Sequence, residues 1–323
     1  MNELELRIAE ALQIDPRASW RRIARALGEH ERLVARHGAA LLASRQVVVA
    51  GVRVNGLSQI LRGTCHPGSR LMAVEALAGR GDVTFSYVLS GAYDVAAEVF
   101  RRPATPSYTF DASITPGLVR AETLPILRYF RSIRGWRLGL LSEAQRSALA
   151  SGPADVVPEM KTPQSDSPVD EALMSGLAAD GRMSIEELAR RAGVSESTAR
   201  RRLGWILESN QMSLRALVEP GQAGLHTEAL LWLRMPPHRV SEVGEALARD
   251  PKARYVAAVA GSCQLVADIT LSEPQELYTY LSESSWAKQV DAVDMSLVAG
   301  ARKRGGQLLS MPGAVEDQPL ALS

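Results

Sequence analysis

Apolar residues recur at helical spacing in short bursts, and between the bursts they gather into strand-like runs. Leu4, Ile8 and Leu12 stand four residues apart, as do Val169, Leu173 and Leu177, and each set predicts an amphipathic helix. Ser19 and Ser184 then open second helices, and Glu187, three residues after Ser184, gives a capping-box pattern. Ala192-Gly193-Val194 reads as a tight turn, and Ser195 caps a third helix to about Ser209. Ala199, Leu203, Ile206 and Leu207 share its inner face. Ser197 and Arg201 then point outward, Thr198 and Arg200 lie on the flanks, and Arg202 falls nearer the buried edge. Three short helices with a glycine turn before the last predict a helix-turn-helix.

The remaining stretches alternate. β-type runs at Val47–Val54 and Met212–Val218 follow each third helix. Downstream, strands at Glu228–Met235, Arg254–Ala260, Gln264–Leu271 and Val290–Val298 enclose helical patterns around Val240–Ala248 and Glu273–Leu281. This order, βαββαβ, predicts a ferredoxin-like half-open sandwich with one bare face to bury. The earlier half follows: a strand around Ser58–Thr64, a helix Ser69–Ala78, strands Val83–Ser90 and Val95–Arg101, a helix obscured by Pro103 and Pro106, and a strand Val119–Tyr129. Pro125 makes that last strand read as an edge or bulged one.

The chain repeats itself. A shift of 165 residues lays Asp15–Ser44 on Asp180–Ser209 without a gap, with ten identities that include Asp15/Asp180, Arg17/Arg182, Gly28/Gly193 and Arg36/Arg201. A shift of 170 then pairs Glu75-Ala-Leu-Ala78 with Glu245-Ala-Leu-Ala248, Gly91 with Gly261, and Ala97-Glu98-Val99 with Ala267-Asp268-Ile269. The expected fold class is α+β: two copies of a three-helix, winged-type helix-turn-helix followed by a ferredoxin-like sensor domain. The expected units are a first helix-turn-helix with its connecting strand (1–54), a first sensor (55–140), a proline-rich linker (141–168), a second helix-turn-helix (169–220), a second sensor (221–305) and a flexible tail (306–323).

Composition narrows the chemistry. The 323 residues are 46% hydrophobic and 23% charged, which is globular, and aromatics at 5% leave the cores to aliphatic side chains. Two cysteines, Cys65 and Cys263, are too few for a disulfide framework or a four-cysteine zinc site. No apolar run approaches the ~20 residues of a spanning helix, and the acidic start lacks a signal-peptide pattern. A cytoplasmic location is expected. There is no phosphate-binding glycine loop, metal-spaced His/Cys cluster or nucleophile elbow, so neither cofactor, metal nor catalysis is expected.

Net charge is +1, so only the placement of arginines can argue for nucleic acid. In the second copy, the hydroxyls of Ser195, Ser197 and Thr198 precede Arg200, Arg201 and Arg202. Hydroxyls and free N–H groups at a helix start approach phosphate closely, and arginine forks onto phosphate or the O6 and N7 of guanine. The first copy is weaker. His30 replaces the capping Ser195, and Gly38 replaces Leu203, at about 1 kcal/mol of helix propensity and with a gap expected in the core. Arg32 and Arg36 still occupy its outward positions.

Ile185-Glu-Glu-Leu-Ala-Arg-Arg-Ala-Gly-Val-Ser-Glu-Ser-Thr-Ala-Arg-Arg-Arg-Leu203 resembles the helix-turn-helix of the leucine-responsive/AsnC regulators, and Gly91-Ala-Tyr-Asp94 is similar to that family's Gly-x-x-Asp turn. The resemblance covers most of both halves; it departs in being tandem, and in Gly261-Ser-Cys-Gln264, which keeps the glycine and loses the acid. It implies binding to double-stranded DNA, modulated by an amino acid or similar effector held near Gly91, Tyr93 and Asp94, and assembly into homo-oligomers through the sensor sheets. Two rivals share the fold. One is a sirohaem-decarboxylase-like enzyme, which would need sensor histidines. The other is an amino-acid-binding oligomer with vestigial helix-turn-helices.

Overall fold

The computed structural model describes residues 1–53, 57–101, 115–150 and 167–309. The first half runs α1 (Glu3–Ile14), α2 (Trp20–Leu27), α3 (Glu31–Ala43), β1 (Val47–Arg53), β2 (Leu57–Cys65), α4 (Arg70–Ala78), β3 (Val83–Gly91), β4 (Val95–Arg101), β5 (Leu118–Arg131) and α5 (Glu143–Leu149). The second runs α6 (Pro168–Ala179), α7 (Ile185–Ala192), α8 (Glu196–Glu208), β6 (Met212–Val218), β7 (Thr227–Arg234), α9 (Val240–Arg249), β8 (Ala253–Val259), β9 (Leu265–Leu271), α10 (Pro274–Glu283), β10 (Ala292–Arg304) and β11 (Gln307–Leu308). The helix expected around Pro103 and Pro106 lies outside the described residues, as do 151–166 and 310–323.

The helix starts follow local chemistry. Ser19, Ser184 and Ser195 each accept a hydrogen bond from the backbone N–H three residues on. Ser184 gives only half of the expected capping box, because the Glu187 carboxylate is drawn instead to Arg190 and Arg191. Gly28 and Gly193 end the second helices with φ of 72° and 65°, the left-handed region where glycine carries no Cβ penalty.

The sheets depart from two separate half-open sandwiches. Eight antiparallel strands follow the order β10-β3-β4-β2-β5-β8-β9-β7, and β7 returns to β10, so the sheet closes into a barrel. Each half supplies four neighbouring strands, and the seams are β5–β8 and β10–β3. Closure uses up the strand edges that an open sheet would expose. It also buries both bare faces together: Ile60, Phe85 and Leu124 meet Trp232, Tyr255 and Val266 inside. Outside, α4 covers Leu61 and Val99, while α9 and α10 cover Leu231 and Ile269.

Pro125 is a further difference. It sits in a strand with neighbours on both sides, yet costs no ladder bond. β5 pairs with β2 up to Pro125 and with β8 from Ile126, and the Pro125 carbonyl itself accepts from Ala260 N–H at 2.8 Å. The proline marks the handover, where one ladder ends and the next begins.

Nor do the strands after the third helices act as wings of their own domains. β1 and β6 pair with each other, Val47 opposite Val218 through Arg53 opposite Met212, forming a ribbon between the two helical units. The gap expected at Gly38 is filled. A Cβ there would lie 2.3 Å from the ring of Trp20, which stands at the position of Ile185 in the other half. A large side chain on α2 thus offsets the small one on α3.

The stretch from 141 begins as structure. Ser142 caps α5, and Leu149 packs into the first helical core. The fully buried Glu10 of α1 accepts from the backbone N–H groups of Leu140 and Leu141, holding this return segment on the first unit. Pro168 already belongs to α6. The tail likewise begins ordered, with Gln307 in β11 donating to the Ala178 carbonyl.

Candidate nucleic-acid interface

The start of α8 is a tight hydroxyl cluster. Ser195 Oγ accepts from Thr198 N–H at 3.3 Å and lies 3.0 Å from Ser197 Oγ and 3.1 Å from Thr198 Oγ1. Ser195 and Ser197 are exposed and Thr198 is half-buried. One turn on, Arg200 and Arg201 are exposed and make no ion pair among the described residues. The helix buries Ala199, Leu203 and Ile206, which leaves both guanidiniums on the solvent side.

Arg202 is different. It forks onto Asp170, a fully buried carboxylate of α6, and its guanidinium lies 4.8 Å from the Trp205 ring centroid. It ties α8 to α6. The sequence placed it with the outward arginines because three arginines run together; its position near the buried edge was the available signal.

On α3, Arg32 and Arg36 are exposed, and Arg36 Nη2 is 3.5 Å from His37 Nε2. His30 stands at the N-cap without a side-chain capping bond. The first unit thus lacks the hydroxyl cluster of α8 while keeping two outward arginines.

A contact that sequence reasoning missed fixes the two helical units to each other. Arg17 donates to the carbonyls of Gly181 and Met183 at 2.8 and 3.0 Å. Arg182 donates to the carbonyls of Pro16 and Ala18 at 2.8 and 3.0 Å. Their identity at a shift of 165 was the only sequence trace. Arg53 of β1 also forks onto Glu171 of α6 at 2.9 and 2.6 Å.

At the sensor turn, Gly91 has φ of 133°, and a Cβ on it would lie 3.0 Å from the Met295 carbonyl oxygen. Only glycine lets β10 come this close. Asp94 Oδ2 accepts from Cys65 N–H at 2.8 Å, bracing the end of β2. In the other half, Gln264 Oε1 accepts from Met235 N–H at 3.0 Å in the corresponding place. An acid and an amide therefore do the same work. Tyr93 is half-buried edge-on to Trp232, and the Arg62 guanidinium lies 4.2 Å from its ring centroid. Arg62 is held by Glu122 and Ser262. Burial pushes the Tyr93 hydroxyl above its ordinary range, against the pull of Arg62.

All five histidines lie away from the barrel interior: His30, His66, His226 and His238 are exposed, and His37 pairs with Glu5. Among the described residues no group of His, Cys, Asp and Glu has metal-site geometry, and no helix is long and apolar enough to cross a membrane.

Comparison with known proteins places this geometry. Residues 168–204, spanning α6, α7 and most of α8, match the AsnC-type helix-turn-helix domain. The chain is 29% identical over 139 residues to an uncharacterised helix-turn-helix-type transcriptional regulator of Pyrococcus horikoshii, covering 42% of this chain and 88% of that protein. A counterpart from Pyrococcus furiosus is 27% identical over 139 residues, covering 42% and 94%. Among solved structures, the siroheme decarboxylase NirDL, in complex with an iron-uroporphyrin III analogue, superposes with a TM-score of 0.60 over 92% of both chains at 13% identity. That likeness extends over nearly the whole architecture and concerns the fold.

Proposed function

We propose that the chain is a sequence-specific DNA-binding transcriptional regulator built of two AsnC-like modules, each a helix-turn-helix followed by a βαββαβ sensor. The carrying observation is the outer face of α8, where hydroxyls at a helix start precede two exposed guanidiniums that make no ion pair among the described residues. It falls in the segment that matches the AsnC-type domain. Ser195, Ser197 and Thr198 meet backbone phosphate, and Arg200 and Arg201 reach into the major groove. The related α3, with Arg32 and Arg36, lies on the neighbouring half-site and contributes charge more than base recognition. Arg202 serves the reading helix from behind, through Asp170.

A small effector, an amino acid or a similar molecule, modulates this binding. Of Gly91, Tyr93 and Asp94, the first and last are engaged with backbone, so Tyr93 with its neighbour Arg62 is the contact we assign to the effector. Assembly of several chains belongs to the same reading. The barrel consumes the sheet edges, so the surface that supports assembly is the outer one, where Leu71 and Met72 on α4 and Leu297 on β10 are exposed.

The test is selection of bound genomic fragments by the purified chain, followed by anisotropy titration across salt. A regulator enriches a common sequence, and its affinity falls steeply as salt rises, because phosphate contacts release counterions. Failure to enrich any sequence refutes the reading.

A further inference from the structure

The two halves of the barrel treat one buried carboxylate in opposite ways. Glu98 on β4 and Asp268 on β9 correspond at a shift of 170, and both face the barrel interior beside a bulge. The bulges fall at matching places, between Val83 and Phe85 on β3 and between Ala253 and Tyr255 on β8. The extra residue of each bulge here reaches the neighbouring strand's carboxylate. In the second half that residue is Arg254, whose Nη1 lies 2.9 Å from Glu228 and 3.6 Å from Asp268. Arg304 adds a second guanidinium, donating to both Glu228 oxygens at 2.6 and 2.5 Å. Cations of the chain itself fill this site.

In the first half the corresponding residues are small. Thr84 stands for Arg254 and Ser58 for Glu228, and Ser132, by strand register, for Arg304. The acid remains. Glu98 is 8% exposed and, among the described residues, accepts only hydroxyls: Tyr129 at 2.5 Å, Thr84 at 2.6 Å and Tyr255 at 3.3 Å. Beside it opens a cavity of about 50 Å³, lined in part by Ser58, Thr84, Glu98, Tyr129, Ser132 and Arg215. A carboxylate held among neutral hydroxyls in a low-dielectric wall favours an added cation strongly.

We propose that this cavity binds a small molecule carrying a guanidinium or primary ammonium group, which pairs with Glu98 where Arg254 pairs in the other half. The aromatic walls, Phe85, Tyr129 and Tyr255, suit the flat faces and alkyl stem of such a group. Arg53 is already forked onto Glu171, so the ligand is defined by its cation alone, and its class is a guanidinium or alkylammonium compound. The site lies apart from the Gly91 turn and from α8, and its occupancy is measurable whether or not the chain finds an operator.

The experiment is calorimetric titration of the full chain with L-arginine and L-lysine, and with L-citrulline as the uncharged isostere of arginine. At least one cation binds, and citrulline binds about ten- to a hundredfold more weakly than arginine, as the loss of a charge-assisted bond requires. Glu98→Gln lowers cation affinity by a similar factor, and Thr84→Arg, which supplies the internal guanidinium of the other half, abolishes it. Thermal melts confirm that each variant is folded; should Thr84→Arg fail to fold, Glu98→Gln decides. Absence of binding by both cations overturns the proposal. So does equal binding of citrulline, or binding undiminished in a folded variant.

Discussion

Arg17 and Arg182 clasp one another's turns: each guanidinium spans two carbonyls of the opposite helical unit, with matching distances. Such reciprocity is the mark of a two-fold contact, here between halves of one chain. Burial holds both guanidiniums below the ordinary arginine range, although neighbouring aspartates pull the other way. Arg17→Ala should lower stability by about 1–3 kcal/mol, the cost of leaving carbonyls short of a charged donor. Urea unfolding checks it, and Arg182→Ala should give a similar value.

On the DNA face, Arg200→Ala with Arg201→Ala should weaken operator binding by about 1–3 kcal/mol per arginine and relax its sequence preference, with an unchanged melting temperature. Arg202→Ala should behave in the reverse order: it strands the buried Asp170 and lowers the melting temperature first. Anisotropy titrations paired with thermal melts separate the two cases. Equal behaviour of all three arginines would refute the division.

Gly38→Leu should destabilise the first unit by about 1–3 kcal/mol, because its Cβ meets the Trp20 ring. Adding Trp20→Ile, which recreates the Ile185/Leu203 pair of the second unit, should recover most of the loss. A double-mutant cycle by chemical denaturation measures the recovery.

Asp94→Asn should leave stability nearly unchanged, since an amide oxygen can accept from Cys65 as Gln264 accepts from Met235. Asp94→Ala should cost about 1 kcal/mol. A loss of effector response in Asp94→Asn at full stability would return the acid to the effector site.

The Glu228–Asp268 pair sets a pH dependence. Burial opposes charge on both, but Arg304 and Arg254 bring Glu228 down from 4.5 to about 2. Burial, reinforced by Glu228, raises Asp268 well above 3.8. A depressed carboxyl stabilises above its unfolded value and loses that stabilisation as pH falls from 4.5 toward 2. A raised one does the opposite: stability declines as pH rises above 3.8, because the folded state holds a proton that the unfolded state has released. Asp268→Asn should therefore preserve the fold at neutral pH and remove the second decline. Denaturation midpoints from pH 3 to pH 7 check this.

Much of this was legible in the sequence. Helix spacing, capping serines and turn glycines are local signals, and they placed all six helices of the two helical units and the start of the reading helix. Periodicity also gave the strands. It could not give their closure, because the β5–β8 and β10–β3 seams join residues more than a hundred positions apart. Pro125 misled for the same reason: a proline argues against a central strand unless its neighbour changes at that residue. The partners of Asp94 and Arg202 were not legible, because residue type shows what a side chain can bind, whereas Cys65 N–H and Asp170 are brought to them only by the fold. The Glu98 cavity lay hidden because it is made by the smallness of Ser58, Thr84 and Ser132, visible only beside the arginines of the other half.

The barrel's seams are both internal to one polypeptide, and this removes a mass-action term. Two separate subunits would dissociate on dilution, and their hold on a paired half-site would weaken with them. Here the tether keeps both helical units side by side at any abundance. A cell holding only a handful of these molecules would still have every one of them paired.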